Sequence, residues 1–269
     1  MKSLEKIKLI VTDLDGTLLN NESEISDYNK KVFQYLMNNG IEIILSTGRP
    51  FNGMQRYKNM INNDNYSIVF NGAIIADTNG KFIYNKVIDE SSSRKIVDLI
   101  DKYKVYLHVY SGNKYIVSKP DFYYERYIEK ENITDTIIGL ENVDNFEFSK
   151  MVFIGEREEL LRLQSYIMSN FNVHTSFSHT NFLEVLAEGI NKGSALKWLC
   201  DKKGIKREEI IAFGDNYNDI EMIEYAGVGV AMSNAEEDVK KKADYVCLSN
   251  DENGVGDFLN KFLNLKIII

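Results

Sequence analysis

The sequence predicts an α/β fold: a doubly wound parallel-sheet core of the Rossmann-like kind, with an inserted α/β cap domain built on an antiparallel sheet. Three observations lead to this prediction. Short apolar runs, as at 7–11, 41–45 and 210–214, recur beside helical patterns. Polar segments that contain glycine follow these runs directly. Between about 85 and 187 the order changes to helix, strand, strand, and this order occurs twice.

The first apolar run is typical of a strand buried on both faces, and we expect it to end at Asp13. Asp13 and Asp15 therefore lie where open α/β sheets bind their ligands, and Gly16 lets the chain turn away. Two such acids can supply a carboxylate nucleophile and a general acid and base, or they can hold Mg²⁺. The alternative is an ordinary turn, because Asp and Gly are common in turns.

A helix follows, with Ser26 as its N-cap and Gly40 as its C-terminal stop. Its apolar face is predicted to contain Val32, Tyr35, Leu36 and Asn39. The spacing of these positions is that of a helix packed on one side.

The second strand, 41–45, leads into Ser46, Thr47 and Gly48. Hydroxyl and backbone N–H donors at this point could bind a phosphate oxygen. Pro50 suits the first turn of the next helix. A plain strand-to-helix loop is the alternative interpretation.

A third strand, 67–70, precedes a hairpin with strands 73–75 and 82–87. The changed pattern then places the insertion at 85–187 and assigns 1–84 and 188–269 to the core. Within the insertion we predict helices at 90–103 and 156–170 and strands at 105–110, 115–118, 151–154, 173–177 and 182–186.

The parallel pattern resumes with a helix that opens at Asn191 and stops near Gly204. A strand at 210–214 then runs into Asp215, Asn218 and Asp219. The remaining predicted elements are helix 220–225, strand 228–232, helix 235–242, strand 245–248 and a last helix toward Phe262.

Composition limits the classes of function. A hydrophobic fraction of 44% and a charged fraction of 27% are ordinary for a globular protein of 269 residues. The net charge of -8 argues against nucleic acid as a partner, because non-specific binding needs Lys and Arg to neutralise phosphates. Cys200 and Cys247 suggest no disulfide framework, and both are expected in the core. With no signal-peptide pattern and no membrane-spanning run, we expect a cytoplasmic protein without a membrane partner.

Four polar groups lie at predicted strand ends or helix starts, and loops of one parallel sheet converge at its carboxyl edge. These groups are Asp13 with Asp15, Ser46 with Thr47, Lys192, and Asp215 with Asn218 and Asp219. Their order in the chain resembles that of the haloacid dehalogenase superfamily, in particular its Cof-type sugar-phosphatase branch with a type IIB cap. The matching stretches are Asp-Leu-Asp-Gly-Thr-Leu at 13–18, Ser-Thr-Gly-Arg at 46–49, Asn-Gly-Ala at 71–73, Lys-Gly at 192–193 and Gly-Asp-Asn-Tyr-Asn-Asp at 214–219.

The resemblance implies a role for each matching residue. Asp13 would attack the substrate phosphorus, and Asp15 would protonate the leaving alcohol and then activate water. Asp13, Asp215 and the backbone carbonyl of Asp15 would hold Mg²⁺, with Asp219 supporting the metal site. The phosphoryl oxygens would be held by Ser46, Thr47, Gly48, Lys192 and Asn218. The partner implied is a small phosphorylated metabolite; the role of Arg49 and the oligomeric state stay open.

Each assignment has a plainer alternative. Lys192 could be a solvated lysine at a helix start, and Asp219 a helix-start acid that interacts with the helix dipole. The leading hypothesis is a Mg²⁺-dependent phosphatase. The rivals are a phosphotransferase or mutase with the same aspartyl-phosphate, and a sugar-phosphate-binding regulator without turnover.

The histidines and aromatic residues of the insertion point to no site of their own. His108, His174 and His179 lack metal-ligand spacing, so satisfied polar or surface positions are expected. The aromatic series Phe122, Tyr123, Tyr124 and Tyr127 is expected to pack rather than to stack on bases.

Overall fold

The computed structural model describes residues 6–122, 124–130 and 133–267, and the predicted α/β fold is confirmed. An eight-stranded sheet forms the core, and a second sheet of six strands lies in the insertion. Before the insertion the elements are β1 (Leu9–Thr12), α1 (Asp27–Asn38), β2 (Glu42–Ser46), α2 (Phe51–Met60), β3 (Ser67–Val69), β4 (Ile74–Ala76) and β5 (Phe82–Asn85).

The insertion contains its own helices and strands. They are α3 (Glu90–Val97), α4 (Leu99–Tyr103), β6 (Tyr106–Ser111), β7 (Lys114–Val117), α5 (Tyr124–Lys130), β8 (Thr136–Ile138), β9 (Lys150–Ile154), α6 (Arg157–Asn170), β10 (Val173–His179) and β11 (Phe182–Ala187). The helix predicted at 90–103 is divided in two at Asp98. Strand β8 was not predicted, because its three residues lie half exposed at the edge of the sheet and show no alternation.

The chain then completes the core. Its last elements are α7 (Lys192–Lys203), β12 (Ile210–Gly214), α8 (Ile220–Tyr225), β13 (Val228–Ala231), α9 (Glu237–Lys240), β14 (Tyr245–Val246) and α10 (Gly254–Leu263). In the core sheet the strand order is β14-β13-β12-β1-β2-β3-β4-β5, parallel from β14 to β3 and antiparallel through the hairpin.

Strand β1 shows why the core is doubly wound. Its side chains alternate between two apolar clusters, with Leu9 and Val11 on the face that α7 and α8 cover and Ile10 on the face of α1 and α10. All three are fully buried. A strand that is covered on both faces has no polar side to present, which explains its continuous apolar sequence.

Helix α1 begins as predicted but turns a different face to the sheet. Its buried positions are Tyr28, Asn29, Val32, Phe33 and Leu36. Tyr35, predicted to be apolar-facing, is 40% exposed, and Asn39 is exposed at the C-cap. The buried face of α1 therefore includes Asn29 and Phe33 rather than Tyr35 and Asn39. The 3.6-residue period is the predicted one, but the buried face is rotated about the helix axis.

The second sheet has the order β10-β11-β9-β6-β7-β8. The prediction of an antiparallel sheet holds for every pair except β7 and β8, which are parallel. One face packs on the insertion's own helices, burying residues such as Leu183 and Val185. The other face turns toward the core, where Tyr110 meets Phe70 with ring centroids 4.8 Å apart.

The two chain crossings between core and insertion lie beside the same short segment, the 3₁₀ turn Phe70–Gly72. On the outgoing side, the Lys86 N–H donates to the carbonyl of Ala73 over 2.8 Å. On the returning side, a Cβ added to Gly72 would lie 2.7 Å from the carbonyl carbon of Asn191. The insertion is therefore joined to the core through one small region. None of the described helices has the length and apolar character needed to cross a bilayer.

The N-cap of α1 offers a direct test of how its local sequence starts the helix. The Ser26 hydroxyl accepts a hydrogen bond from the Asn29 N–H over 3.1 Å. Changing Ser26→Ala leaves that N–H without its partner, and we expect a loss of about 1 kcal/mol in the free energy of unfolding, measured by urea denaturation. Ser165→Ala, at an exposed position inside α6, is the matched control and should change it by less than about 0.5 kcal/mol. Equal losses in the two variants would contradict the capping role.

Candidate active site

The candidate site lies at the carboxyl edge of the core sheet, where three neighbouring strands end together. Strand β1 pairs with β12 on one side and β2 on the other, so the loops after these strands are adjacent. The Asp13 N–H continues the ladder by donating to the carbonyl of Phe213 over 3.1 Å. The segments 13–16, 47–49 and 214–219 therefore meet at one edge, as the sequence predicted.

Three carboxylates lie together at this edge. One oxygen each from Asp13, Asp215 and Asp219 lies within 4.8 Å of the others, the only such metal-compatible group among the described residues. Asp219 is fully buried and accepts from the backbone N–H groups of Asp215 and Asn216 over 3.0 and 3.1 Å. Thr17 donates its hydroxyl proton to Asp215 Oδ1 over 2.6 Å.

Lys192 forms ion pairs with two of these acids, Asp13 and Asp219. Its Nζ lies 2.7 Å from Asp13 Oδ1 and 2.6 Å from Asp219 Oδ1, and its side chain is fully buried. It reaches this position because α7 begins at Lys192, with Asn191 as N-cap in a reciprocal pair of hydrogen bonds with Ser194. The alternative of a solvated lysine is therefore wrong.

The electrostatics of the group follow from burial and crowding. Burial, together with the carboxylates of Asp219, Asp215 and Asp15, raises the pKa of Asp13 well above its usual value, although Lys192 opposes this. Burial and Asp219 raise the pKa of Asp215 to about 6. Burial alone would lower the pKa of Lys192, but Asp13 and Asp219 outweigh it and raise that pKa.

The group fits a divalent cation by its donor chemistry. Three carboxylates face one ammonium, so negative charge exceeds positive charge in a buried place. Carboxylate oxygens are the ligands that hard cations such as Mg²⁺ prefer. Bound positive charge would favour the ionised form of each acid and thereby reduce the cost of placing them together.

Asp15 lies apart from this group and is held by Arg49. The guanidinium donates from Nε to Asp15 Oδ2 and from Nη2 to Oδ1, each over 2.7 Å. The side chain of Asp15 is 52% exposed, while that of Arg49 is 6% exposed. The sequence left the role of Arg49 open; the structure makes it the partner of the predicted acid–base residue.

A cavity of about 340 Å³ opens above these residues. Of the predicted site residues, Asp13, Asp15, Thr47, Gly48 and Asn218 line it. The Thr47 hydroxyl accepts from the Arg49 N–H over 3.2 Å, which leaves its own proton available to a ligand oxygen. The floor of the cavity therefore combines a carboxylate pair with neutral donors.

Two predicted phosphate-binding residues do not reach the cavity. Ser46 is the last residue of β2, where it pairs with Ile68; it is fully buried and its Oγ lacks a hydrogen-bond partner. The direct phosphate contact predicted for Ser46 is not supported, because the strand turns its side chain into the core. Lys192 lies behind Asp13 and contacts acids rather than the open space.

The insertion supplies the opposite wall of the cavity, in keeping with the expectation that it would close over the site; the residues that form this wall were not predicted from the sequence. Its members are Tyr127, Lys150, Ser176, Phe177, Ser178, Phe182 and Glu184. A signal existed in the sequence at 182–187, where one acid interrupts an apolar strand. Because side chains alternate along a strand, Glu184 faces away from Leu183 and Val185 and hence toward the core.

The histidines and cysteines that the structure describes belong to no catalytic or metal-binding group. His108 is buried and satisfied, with Nε2 2.7 Å from Asp121 and Nδ1 2.6 Å from the Tyr115 hydroxyl. His174 is half-buried, and the side chain of His179 lies outside the described residues, as does Tyr123. Cys200 and Cys247 are buried, and burial raises the pKa of each thiol to about 12.

The sequence and the fold of the chain are similar to those of known hydrolases and phosphatases. The haloacid dehalogenase-like hydrolase family matches residues 10–259 of the chain. A Bacillus subtilis protein named as a 5-amino-6-(5-phospho-D-ribitylamino)uracil phosphatase is 34% identical over 250 residues, 93% of each chain. A haloacid dehalogenase-like hydrolase from Bacteroides thetaiotaomicron superposes with a TM-score of 0.86 at 30% identity, covering 95% of this chain and 99% of that one. A sugar phosphatase of subclass IIB superposes with a TM-score of 0.82 at 26% identity, over 95% and 98%.

Gly16 tests how tightly the carboxylates are held. Its φ is +79°, and an added Cβ would lie 2.8 Å from Asp215 Cγ. Gly16→Ala should displace Asp215 and lower the affinity of the carboxylate group for a divalent cation at least about tenfold, measured by titration calorimetry with Mg²⁺ as the probe. Gly40→Ala is the matched control, with φ at +80° and no atom within 4 Å of the added Cβ. It should lose roughly 1 kcal/mol of stability and keep its metal affinity. An unchanged metal affinity in Gly16→Ala would show that the close approach of Gly16 to Asp215 does not matter for binding the cation.

Asp215 tests the electrostatic cost of the group. Because its pKa is raised from 3.8 to about 6, the folded protein holds this proton more tightly than the unfolded chain does. The cost of ionising Asp215 therefore grows as pH rises from about 4 to 6 and stays constant above. In metal-free protein, Asp215→Asn should raise the melting temperature at pH 7.5, and the gain should shrink toward pH 4.5. A gain that is absent at pH 7.5 would show that ionised Asp215 carries no such cost; Asp201→Asn, at an exposed ion pair, is the control.

Proposed function

The chain belongs to the haloacid dehalogenase-like hydrolases, as its Cof-type motifs indicated, and is a phosphatase; from this premise we propose that it hydrolyses small phosphomonoesters through an aspartyl-phosphate on Asp13. The observation that carries the proposal is the position of Asp13. It is the member of the buried carboxylate group that also lines the cavity, and Lys192 fixes one of its oxygens.

The reaction divides into two displacements at phosphorus. In the first, a carboxylate oxygen of Asp13 forms a bond to phosphorus while the bond between phosphorus and the oxygen of the leaving alcohol breaks. Asp15 donates a proton to the oxygen of that alcohol. In the second, water attacks phosphorus, Asp15 takes the water proton, and the bond to Asp13 breaks to release inorganic phosphate. The same residue thus acts as acid and then as base.

At least one oxygen of Asp15 has to be released by Arg49 before Asp15 can do this. Both of its oxygens accept hydrogen bonds from the guanidinium, and a protonated oxygen cannot also point its hydrogen at an N–H donor. We propose that substrate in the cavity draws Asp15 away from Arg49. The 52% exposure of the Asp15 side chain leaves it room to turn.

The metal and the neutral donors would orient the phosphoryl group. Asp13, Asp215 and the backbone carbonyl of Asp15 would hold Mg²⁺, with Asp219 supporting them; bound there, it supplies positive charge next to the phosphoryl oxygens. Thr47, the backbone of Gly48 and Asn218 line the cavity and would donate to those oxygens. Such a transition state is stabilised mainly by alignment and charge.

We propose sugar phosphates as the substrate class, with the wall of the insertion selecting the leaving group. The subclass IIB neighbour carries the name of a sugar phosphatase, which supports this class. The Bacillus subtilis relative is named for a phosphorylated ribityl compound, also a polyhydroxylated phosphate ester. The three aromatic rings in the wall, Tyr127, Phe177 and Phe182, offer apolar faces to the carbon skeleton of such a leaving group.

Substitution of the two acids tests the mechanism. With Mg²⁺ and p-nitrophenyl phosphate, Asp13→Asn should lose activity by on the order of a thousandfold or more, because no nucleophile remains. Asp15→Asn should still be phosphorylated, since p-nitrophenolate leaves without a proton, but should lose its phosphate slowly. Acid quench with ³²P-labelled substrate should then trap label on Asp15→Asn and none on Asp13→Asn.

The controls separate the alternatives. Asp251→Asn, at an exposed site away from the cavity, should hydrolyse like the parent. Near-parental activity in Asp13→Asn would eliminate Asp13 as nucleophile. Transfer to added glycerol that outruns hydrolysis would favour the phosphotransferase alternative. Ligand binding without any phosphate release would favour the regulator.

A further inference from the structure

A chain of four polar side chains connects the insertion to the floor of the cavity. Lys150 Nζ lies 2.7 Å from Glu184 Oε1, and Glu184 Oε2 accepts from Asn71 Nδ2 over 2.8 Å. Asn71 Oδ1 in turn accepts from Asn218 Nδ2 over 2.9 Å. Lys150 and Glu184 belong to strands β9 and β11 of the insertion, whereas Asn71 and Asn218 belong to two 3₁₀ turns of the core, Phe70–Gly72 and Tyr217–Asp219. All four line the cavity.

The chemistry of Glu184 imposes a direction on this chain. An ionised carboxylate only accepts hydrogen bonds, so Asn71 has to present its NH₂ group to Glu184. Its carbonyl oxygen then faces Asn218, which has to present its own NH₂ group in turn. Each NH₂ group retains a second hydrogen, and both residues border the cavity where a phosphoryl group is expected.

Burial makes this direction strict. Glu184 and Asn71 are each 5% exposed and Lys150 is 2% exposed, so water cannot easily replace a lost partner. Lys150 compensates the charge of Glu184 and also donates to the carbonyl of Gly48 in the core over 3.2 Å. A buried acid without its base would be strongly unfavourable, and Lys150 supplies that base at 2.7 Å.

The backbone at Asn71 supports a functional purpose. Asn71 adopts a left-handed conformation, with φ 53° and ψ 31°, which is uncommon for a residue other than glycine. Its N–H donates to the carbonyl of Thr47 over 3.0 Å, so the amide side chain is projected from a fixed base between the phosphate loop and the insertion.

We propose that Glu184 is a positioning residue of the phosphate site: its carboxylate sets the amide orientation of Asn71 and, through Asn71, of Asn218. The amide donors are then correctly turned toward phosphate only while the insertion rests on the core. This inference rests on the proposed function and extends it by giving the insertion a part in phosphate binding, besides its contact with the leaving group.

The test is the affinity for inorganic phosphate, measured by titration calorimetry in the presence of Mg²⁺. In Glu184→Gln the Lys150 ammonium takes the one amide oxygen, so the NH₂ group faces Asn71 and the accepting carboxylate that imposed the orientation is gone. We expect the phosphate Kd and the KM for p-nitrophenyl phosphate to rise about tenfold, with kcat within about threefold of the parent. Glu184→Asp, which retains an accepting carboxylate, should recover part of the affinity.

A double-mutant cycle shows whether Glu184 acts through Asn71. Asn71→Gly removes the side chain, and glycine accepts the left-handed backbone without strain. In this background Glu184→Gln should change the phosphate Kd by less than about twofold, because the residue that transmits its effect is gone. Additive effects of the two changes, or an unaltered Kd in Glu184→Gln alone, would overturn the proposal.

Two further measurements keep the result interpretable. Glu42→Gln makes the same chemical change at a half-buried ion pair with Lys203, away from the cavity, and should leave the phosphate Kd unchanged. If Glu184→Gln does not fold, Lys150→Met replaces it, and an unchanged phosphate Kd in that variant would overturn the proposal. Because calorimetry reads phosphate binding without turnover, an inactive parent would refute the proposed phosphatase mechanism and still allow this inference to be tested.

Discussion

The site depends on one interaction, the contact of the buried Lys192 ammonium with the carboxylates of Asp13 and Asp219. Without it, three acids at one edge of the sheet would repel one another in a place that water cannot screen. The contact places Asp13 at the floor of the cavity and keeps it there. This contact constrains the fold, because α7 has to begin at Lys192 for the side chain to reach both acids.

That requirement explains why the two halves of the core are inseparable. Asp13 follows β1, whereas Lys192 and Asp219 come from the chain beyond the insertion, so the group forms only when β12 pairs with β1. The apolar faces of β1 hold this pairing, and the acids lie at its end. Packing of the sheet thus supplies the free energy that offsets crowding of charge at its edge.

Local signals predicted what local physics decides. Ser26 capped α1, Asn191 and Gly204 bounded α7, and the apolar run 210–214 became β12, because caps, stops and buried strands depend on neighbouring residues. The convergence of Asp13, Asp215 and Asp219 was predicted from strand ends of a parallel sheet. The burial of the Ser46 side chain was not predicted. The contacts between distant segments were also missed, since Lys150 and Glu184 line the cavity from strands of the insertion. No periodicity within a strand reveals which element will cover its free face.

The two crossings of the chain beside the Phe70–Gly72 turn have a mechanical consequence. A rigid rotation of the insertion has to pivot where it is tethered, so displacement grows with distance from that turn. Asn71 lies at the pivot, while Phe177 and Phe182 lie farther along the insertion's sheet. Opening would therefore displace Phe182, two residues farther along β11, more than Glu184. An entering ester would meet an open rim and a floor that is still aligned.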